Sequence, residues 1–255
     1  MSTDERKTKI LDLLQENGIV KVTALSEILG ISEVTVRNYL TEMEKMGLLT
    51  RVHGGAISSY KPYCSMNFNQ RLETNQSEKE SIASKISEMI DPNDTVMLNA
   101  GTTTLLVFRH LPADYNLNIV TNSISIALEA SSNPNYNVTL VGGQVNSKYQ
   151  FTYGPDATEQ IKNYHANKLV LSVDGIDTEN GFSTYYSEET HLDKAMINQS
   201  DICIIAADKI KFRRNAFAKI SDIDCADFIV TTCKLHKDEE KLLSKKEIAV
   251  INVKF

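Results

Sequence analysis

Long apolar runs are missing from this chain: no stretch approaches the roughly 18 to 20 consecutive apolar residues that span a bilayer. The opening residues Met1 to Lys7 also lack the apolar core of a secretion signal, so a cytoplasmic protein with no membrane partner is expected. Cysteine is scarce. The four cysteines, Cys64, Cys203, Cys225 and Cys233, are scattered and no histidine cluster stands by to complete a zinc site, so reduced thiols and no metal are expected. An excess of positive charge is lacking as well, the net charge being −6, which argues against a protein that coats nucleic acid by bulk electrostatics. Even within the first 57 residues, Arg6, Lys7, Lys9, Lys21, Arg37, Lys45 and Arg51 are outnumbered by one by Asp4, Glu5, Asp12, Glu16, Glu27, Glu33, Glu42 and Glu44. A DNA-reading surface therefore has to be argued from pattern. What is present, 42% hydrophobic and 24% charged residues over 255 positions, suffices for one large domain or for a small and a medium one.

The pattern begins at once. Ser2-Thr3-Asp4-Glu5 offers a capping-box start, and Ile10, Leu11, Leu13 and Leu14 form an apolar stripe at helical spacing that stops at Asn17-Gly18. A short β-like stretch, Ile19 to Val22, precedes a second helix capped by Thr23 and carrying Leu25, Ile28 and Leu29. Gly30 then supplies the turn into a third helix capped by Ser32, with Val36, Leu40 and Met43 on its inner face. Ser32, Glu33, Thr35, Arg37 and Asn38 lie toward its exposed N-terminal end, the end that meets base edges in the major groove. After Gly47, residues 48–57 alternate as two short strands around Gly54-Gly55, whose freedom at positive φ suits a tight turn. In such a wing Arg51, His53 and Gly54 face the phosphates, although Arg51 or His53 taken alone is equally an ordinary surface residue.

The run Ser32-Glu33-Val34-Thr35-Val36-Arg37, followed by Leu40, Glu44, Gly47, Leu48, Arg51 and His53-Gly54-Gly55-Ala56, closely resembles the helix-turn-helix signature of the DeoR family. Members of that family usually continue after the arginine with a second basic residue and an Asp. Here Asn38-Tyr39 stands instead, a difference that bears on which operator is read.

Residues 58–76 show little periodic apolar pattern and contain Lys61-Pro62-Tyr63, so they read as a linker between a domain of residues 1–57 and a second of residues 77–255. The second opens on an amphipathic helix with Ile82, Ile86, Met89 and Ile90. Beyond it, apolar runs at 95–98, 118–120, 138–141, 169–173, 202–206, 228–231 and 248–253 alternate with helical stretches. The fold class is therefore α/β: a small winged helix-turn-helix followed by a larger domain with a mainly parallel sheet. Ligands of such sheets sit beyond the carboxyl ends of the strands.

Unusual residues gather at those ends. Gly101, Thr102, Thr103 and Thr104 open a helix after the first run, a place that attracts phosphate. Thr121, Asn122 and Ser123 follow the second run, and Gly142 and Gly143 the third. Asp174, Gly175 and Asp177 follow the fourth, where the carboxylates either accept hydrogen bonds from sugar hydroxyls or form a solvated turn. Glu188 and Glu189 either favour a helix N-terminus or face the ligand, and Lys211, in the basic loop Asp208 to Arg214, is the phosphate partner or part of a solvated charge run.

Taken in order, these segments are similar to the DeoR sensor domain, whose fold resembles ribose-5-phosphate isomerase. The resemblance implies a repressor of a carbohydrate-use operon, with double-stranded operator DNA, a phosphorylated sugar effector and its own copies in a homo-oligomer as partners, and no cofactor. It also implies an effector site drawn from Gly101 to Thr104, Thr121 to Ser123, Gly142, Gly143, Asp174, Gly175, Asp177, Glu189 and Lys211. Many members have glycine after the phenylalanine of Lys211-Phe212; Arg213 stands here and alters the pocket rim. The alternative is a sugar-phosphate isomerase, which needs a positioned base. Isomerase relatives place a lysine shortly after the Asp-Gly turn, and Thr178 to Tyr186 contain none, so no catalytic residue and no enzyme activity are expected.

Overall fold

A computed structural model describes residues 3–17, 19–45, 48–58 and 66–255. The chain divides into two compact units, Met1–Met66 and Asn67–Phe255. Ser2, Gly18, Gly47, Lys61-Pro62-Tyr63 and Cys64 lie outside the described residues. Among the described residues no helix is long and apolar enough to cross a membrane.

The first unit joins helices α1 (Thr3–Asn17), α2 (Val22–Leu29) and α3 (Glu33–Lys45) to strands β1 (Ile19–Lys21), β2 (Leu49–Val52) and β3 (Gly55–Ser58). The strands form an antiparallel sheet in the order β1-β3-β2. Its core is the apolar stripe of each helix: Ile10 and Leu14, then Val22, Leu25 and Leu29, then Val36, Leu40 and Met43, closed by Leu49 and Ala56. Gly30 ends α2 at φ +64, where a Cβ would be strained, and Ser32 caps α3 by accepting from the Thr35 amide at 3.2 Å.

Two local expectations change. Thr23 does not cap α2; the cap is Lys21, two residues earlier, so the helix runs straight out of β1, and the Val22 amide is satisfied by the Gly54 carbonyl at 2.9 Å, so no hydroxyl is needed. Only Gly54 takes a positive φ, +78. Gly55 is already strand, and its glycine is required for another reason: a Cβ there would stand 2.0 Å from the Val20 carbonyl of β1.

The second unit is built on seven parallel strands: β4 (Thr95–Leu98), β5 (Leu117–Thr121), β6 (Tyr136–Leu140), β9 (Ala166–Ser172), β12 (Ser200–Ala207), β14 (Phe228–Thr231) and β15 (Ala249–Asn252). All seven coincide with expected runs. Their order is β15-β14-β12-β9-β4-β5-β6, so the chain proceeds outward from β4 to one edge and outward from β9 to the other. The boundary between β4 and β9 is the topological switch point, where open α/β sheets bind ligands.

Alternation along the strands feeds two cores. Val96, Leu98, Ile119, Val170, Ile204 and Val230 pack under α5 (Gln76–Ser87), α6 (Thr102–His110) and α7 (Ile124–Ala130). Met97, Val120, Leu169, Leu171, Ile205 and Ile229 pack under α8 (Pro155–Ile161), α9 (Thr190–Asn198) and α10 (Lys237–Lys245). Burial on both faces explains the lack of polar alternation in the sequence. Cys203 and Cys233 are buried and Cys225 is half-buried, all as free thiols.

Three elements differ from the expectation. Residues 58–76 are not all connector: α4 (Phe68–Glu73) belongs to the second unit, opened by a reciprocal capping box between Asn67 and Gln70 and anchored by the buried side chains of Phe68 and Arg71. The hairpin of β7 (Gln144–Asn146) and β8 (Phe151–Tyr153) also appears, as does an antiparallel sheet of β10 (Gly175–Asp177), β11 (Gly181–Thr184) and β13 (Ala218–Ser221). Each of these strands is three or four residues long, too short for a periodic signal.

Candidate functional site

In the first unit the exposed end of α3 carries a linked set of polar groups. Arg37 pairs with Glu33 one turn away at 2.5 Å, and the Ser32 and Thr35 hydroxyls lie 2.9 Å apart. Arg51 on β2 donates through Nη1 to Thr41 Oγ1 at 2.7 Å, and its amide bonds to Glu44 at 2.8 Å, so the wing's first strand is tied to α3. Asn38, His53 and Gly54 are exposed. Tyr39 turns the other way: it is half-buried, and hydrogen bonds with Arg6 and Thr3 of α1 hold its phenol below the ordinary value. The residue that departs from the DeoR pattern therefore serves packing between α1 and α3, which leaves Asn38 as the outward-facing substitution.

In the second unit the switch point is stitched by Asn99, just beyond β4. Its side-chain oxygen accepts from the Ser172 amide at 2.8 Å, and its Nδ2 donates to the Ser172 carbonyl at 3.0 Å and to Asp193 at 3.3 Å. Gly101 approaches β9 so closely that a Cβ would stand 2.6 Å from that of Ser172. Beyond β9 comes Asp174, and beyond β12 the loop with Lys211. A parallel bridge between Ile176 and Phe212, with the Arg214 amide on the Ile176 carbonyl at 3.2 Å, brings the two segments together.

The result is a buried cluster of cations around one carboxylate. Lys211 Nζ lies 3.1 Å and Arg71 Nη1 3.5 Å from Asp174 Oδ1, while Oδ2 accepts from the Tyr185 amide at 3.1 Å and from Thr184 at 3.4 Å. Burial alone would raise the Asp174 carboxyl, but Lys211, Arg71 and the Tyr185 amide outweigh it and hold the group below its ordinary value. Arg71 also donates to the Tyr186 hydroxyl at 2.7 Å and lies over the rings of Tyr149 and Tyr186, at 4.9 and 5.3 Å. Lys79 is fully buried, and its ammonium donates to the Arg71 carbonyl. Among the described residues it has no carboxylate within 4.0 Å, and burial lowers it to about 8 in spite of the attraction of Asp208.

Acids border the cations. Glu189, the residue before α9, is buried, and its Oε1 has no hydrogen-bond partner among the described residues. Burial, reinforced by Asp193 and Asp174, pushes its carboxyl well above the usual range. Burial also raises Asp193, to about 7. Asp208 is buried, with Oδ2 accepting from Asn75 at 3.4 Å and Oδ1 without a hydrogen-bond partner among the described residues.

Of the residues expected at the site, Gly101, Thr102, Thr103, Asp174, Glu189 and Lys211 border the switch point. The hydroxyls of Thr102 and Thr103, in the first turn of α6, make no side-chain hydrogen bond among the described residues. Others have structural employment. Thr104 bonds to the Asn99 and Gly101 carbonyls, Thr121 to the Leu98 carbonyl at 2.6 Å, and Ser123 caps α7 at 3.3 Å. Asn122 holds the Ala100 amide at 2.8 Å and the Thr152 carbonyl at 3.2 Å.

Gly142 bonds to Gln160 at 2.9 Å, and a Cβ on Gly143 would stand 2.4 Å from the Tyr153 carbonyl; these glycines let the β7–β8 hairpin pack. Gly175 is constrained likewise, since a Cβ there would stand 2.5 Å from Ser183 Oγ. Asp177 holds a turn with one of its oxygens: Oδ1 accepts from the Glu179 and Asn180 amides at 3.0 and 2.8 Å and from Asn180 Nδ2 at 2.9 Å, the pattern of an Asp-initiated turn. Arg213 adopts φ +57, the left-handed region where glycine is easiest, and is held there by a two-bond pairing with Glu239 at 2.9 and 2.7 Å. Its side chain is thereby fixed against α10.

Sequence reasoning missed Arg71 and Lys79. Arg71 lay in the supposed linker, although Asn67-x-x-Gln70 is a capping-box pattern that marks its helix. Lys79 looks like the solvated side of an amphipathic helix, and only the tertiary structure buries it.

Residues 74–232 match the family described as the DeoR C terminal sensor domain, and residues 6–61 match the DeoR-like helix-turn-helix domain. The putative aga operon transcriptional repressor of Escherichia coli O157:H7 is 32% identical over 253 residues, covering 98% of this chain and 94% of its own. The glycerol-3-phosphate regulon repressor of Escherichia coli K12 is 29% identical over 233 residues, 91% of each chain. Ribose 5-phosphate isomerase A from Methanocaldococcus jannaschii shares 12% identity over 55% of each chain with a TM-score of 0.40, too distant a likeness to bear on chemistry.

Proposed function

The chain belongs to the DeoR family of transcription regulators, and from that premise we propose that it represses a carbohydrate-related operon and releases its operator when a phosphorylated sugar binds the second unit. The observation that carries the effector half is the cation cluster at the switch point. Arg71 and Lys211 converge on Asp174, and Lys79 adds the field of a buried ammonium whose hydrogen-bond partner is a neutral carbonyl. A phosphate bonded to Arg71 and Lys211, with the Thr102 and Thr103 hydroxyls and the start of α6 beside it, adds a second negative charge to that of Asp174 among these cations. The name of the glycerol-3-phosphate regulon repressor is in keeping with a phosphorylated effector.

In this reading Ser32, Glu33, Thr35, Arg37 and Asn38 meet base edges, while Arg51, His53 and Gly54 lie along the phosphates. A closed homo-oligomer presents two copies of α3 to a repeated or palindromic site. Effector binding favours an arrangement in which the two no longer fit, and couplings of this kind are worth about 1 to 3 kcal/mol. The ligand is held without being transformed. The segment Thr178 to Tyr186, without a lysine, supports that view.

The test is fluorescence anisotropy with DNA from upstream of the chain's own gene, followed by titration with phosphorylated sugars. Specific binding and release by a subset of the sugars is the expected result. Failure to bind that DNA, or release by none of them together with measurable conversion of one, overturns the reading.

A further inference from the structure

We propose that Cys203 and Cys225 form a redox site, joined in a reversible disulfide when the chain meets hydrogen peroxide, with Cys225 the thiol that reacts first. The inference is independent of the effector reading.

Two of the free cysteines among the described residues are neighbours. Cys203 lies in β12, and Asp227 clamps its backbone from both groups: the Cys203 amide donates to Asp227 Oδ2 at 2.7 Å, and the Cys203 carbonyl accepts from the Asp227 amide at 3.0 Å. Cys225 stands two residues before that clamp, at the end of the 3-10 turn Ile223–Cys225. The turn is tied back on itself, the Cys225 and Ala226 amides donating to the Asp222 and Ile223 carbonyls, each at 3.4 Å. It thereby packs Cys225 against the same apolar core that buries Cys203, where the two thiols share a hydrogen bond.

The pair is chemically unequal. Cys203 is 4% exposed, whereas Cys225 is half-buried and within reach of a small oxidant. The shared hydrogen bond, with another from Ser221, holds the Cys225 thiol below its ordinary value against the effect of burial; the same bond, together with burial, raises Cys203. Thiolate is the attacking form, and a lowered, accessible thiol beside a second one is the arrangement that responds to peroxide. Cys233 offers the contrast: burial raises it to about 11, and its sulfur lies against the Lys234 carbonyl at 3.6 Å and Arg213 Nη1 at 3.9 Å.

Both steps balance. The Cys225 thiolate attacks one oxygen of hydrogen peroxide and breaks the O–O bond; hydroxide leaves, takes up the proton that the thiol gave up, and Cys225 becomes a sulfenic acid. The Cys203 sulfur then displaces that hydroxyl, the S–S bond forms, and the Cys203 proton departs with the hydroxyl as a second water. The pair loses two electrons and two protons, and the peroxide is reduced to water. A dithiol reverses the change by exchange. The covalent ring so closed runs from Cys203 to Cys225 and contains β13 and the loop bearing Lys211.

Mass spectrometry of the full chain tests this. After exposure to about a tenfold molar excess of hydrogen peroxide at neutral pH, and capping of the remaining thiols with N-ethylmaleimide, the chain should carry two fewer maleimide groups than the reduced chain, and dithiothreitol before capping should restore both. Digestion with trypsin and Asp-N, which cuts before Asp227 and so parts Cys225 from Cys233, should return a peptide pair cross-linked between Cys203 and Cys225 within one chain. Cys203→Ala should leave a Cys225 sulfenic acid that dimedone labels, and Cys225→Ser should slow thiol loss about tenfold or more. If the treated chain keeps every maleimide site, if the bond found involves Cys64 or Cys233 or joins two chains, or if dithiothreitol fails to restore the thiols, the proposal falls. Should either variant fail to fold, the peptide map of the unaltered chain still decides.

Discussion

Replacing Asp174 with Asn removes one charge and almost no volume, and the structure states what is left behind. Lys211 Nζ at 3.1 Å and Arg71 Nη1 at 3.5 Å are themselves buried, so their charges lose a counter-ion that water cannot readily replace. Breaking a buried pair by removing one partner costs about 3 to 5 kcal/mol. For a unit the size of Asn67–Phe255, each kcal/mol moves the midpoint by about 2 to 4 °C, so Asp174→Asn should lower Tm by about 6 to 20 °C. The Asp174 pKa is depressed in the folded state, so its contribution is fully present above the unfolded value of 3.8 and is lost as pH falls through the lower folded value. The gap between wild type and variant should therefore be complete at neutral pH and close under strong acid. Sulfate should recover part of the loss by taking up Arg71 and Lys211, about 2.7 kcal/mol at a hundredfold excess over its Kd. Differential scanning fluorimetry across pH, with and without sulfate, reads all of this. A Tm change under about 3 °C at neutral pH refutes the charge-balance account.

Further outcomes follow from other contacts. Arg37→Ala should weaken operator binding by about 1 to 3 kcal/mol at fixed salt, measured by anisotropy; unchanged affinity removes its assigned role. Gly55→Ala should destabilise the first unit by about 1 to 3 kcal/mol or more, because its Cβ meets the Val20 carbonyl, whereas Gly54→Ala, strained only by φ, should cost about 1 to 2 kcal/mol in a denaturant titration. Asp193, raised to about 7, favours the folded state fully below its unfolded value of 3.8 and loses that contribution as pH rises toward and through 7, so Asp193→Asn should flatten the decline in Tm between about pH 4 and 7. Asp177→Ala should cost about 1 kcal/mol by opening its turn, yet keep phosphate binding; loss of binding in a folded variant would return Asp177 to the site.

Much of this architecture could be read from the chain. The five inner strands were legible because strands buried on both faces are short apolar runs, the edge strands β6 and β15 because they too are short and mostly apolar, and the strand ends pointed to Asp174 and Lys211. The direction in which a polar side chain bonds was not legible. Thr121, Asn122 and Ser123 have the residue types of a phosphate loop, but the structure spends them on the Leu98 carbonyl, the Ala100 amide and the first turn of α7. Short elements were invisible for a different reason: α4 is six residues long and β10 three, so neither completes enough periods to stand out. Lys79 was hidden because burial of a lysine is decided by what the other helices and strands place around it.

The position of α4 has a practical consequence for anyone dissecting the protein. A fragment cut where the periodic pattern resumes, at residue 77, would discard Arg71, the Asn67–Gln70 box and the carbonyl that receives Lys79, leaving that ammonium with nothing to hold. Such a fragment would be a poor reporter of effector affinity even if it were soluble. Cleavage at or before Asn67 keeps the lock and its key plate together.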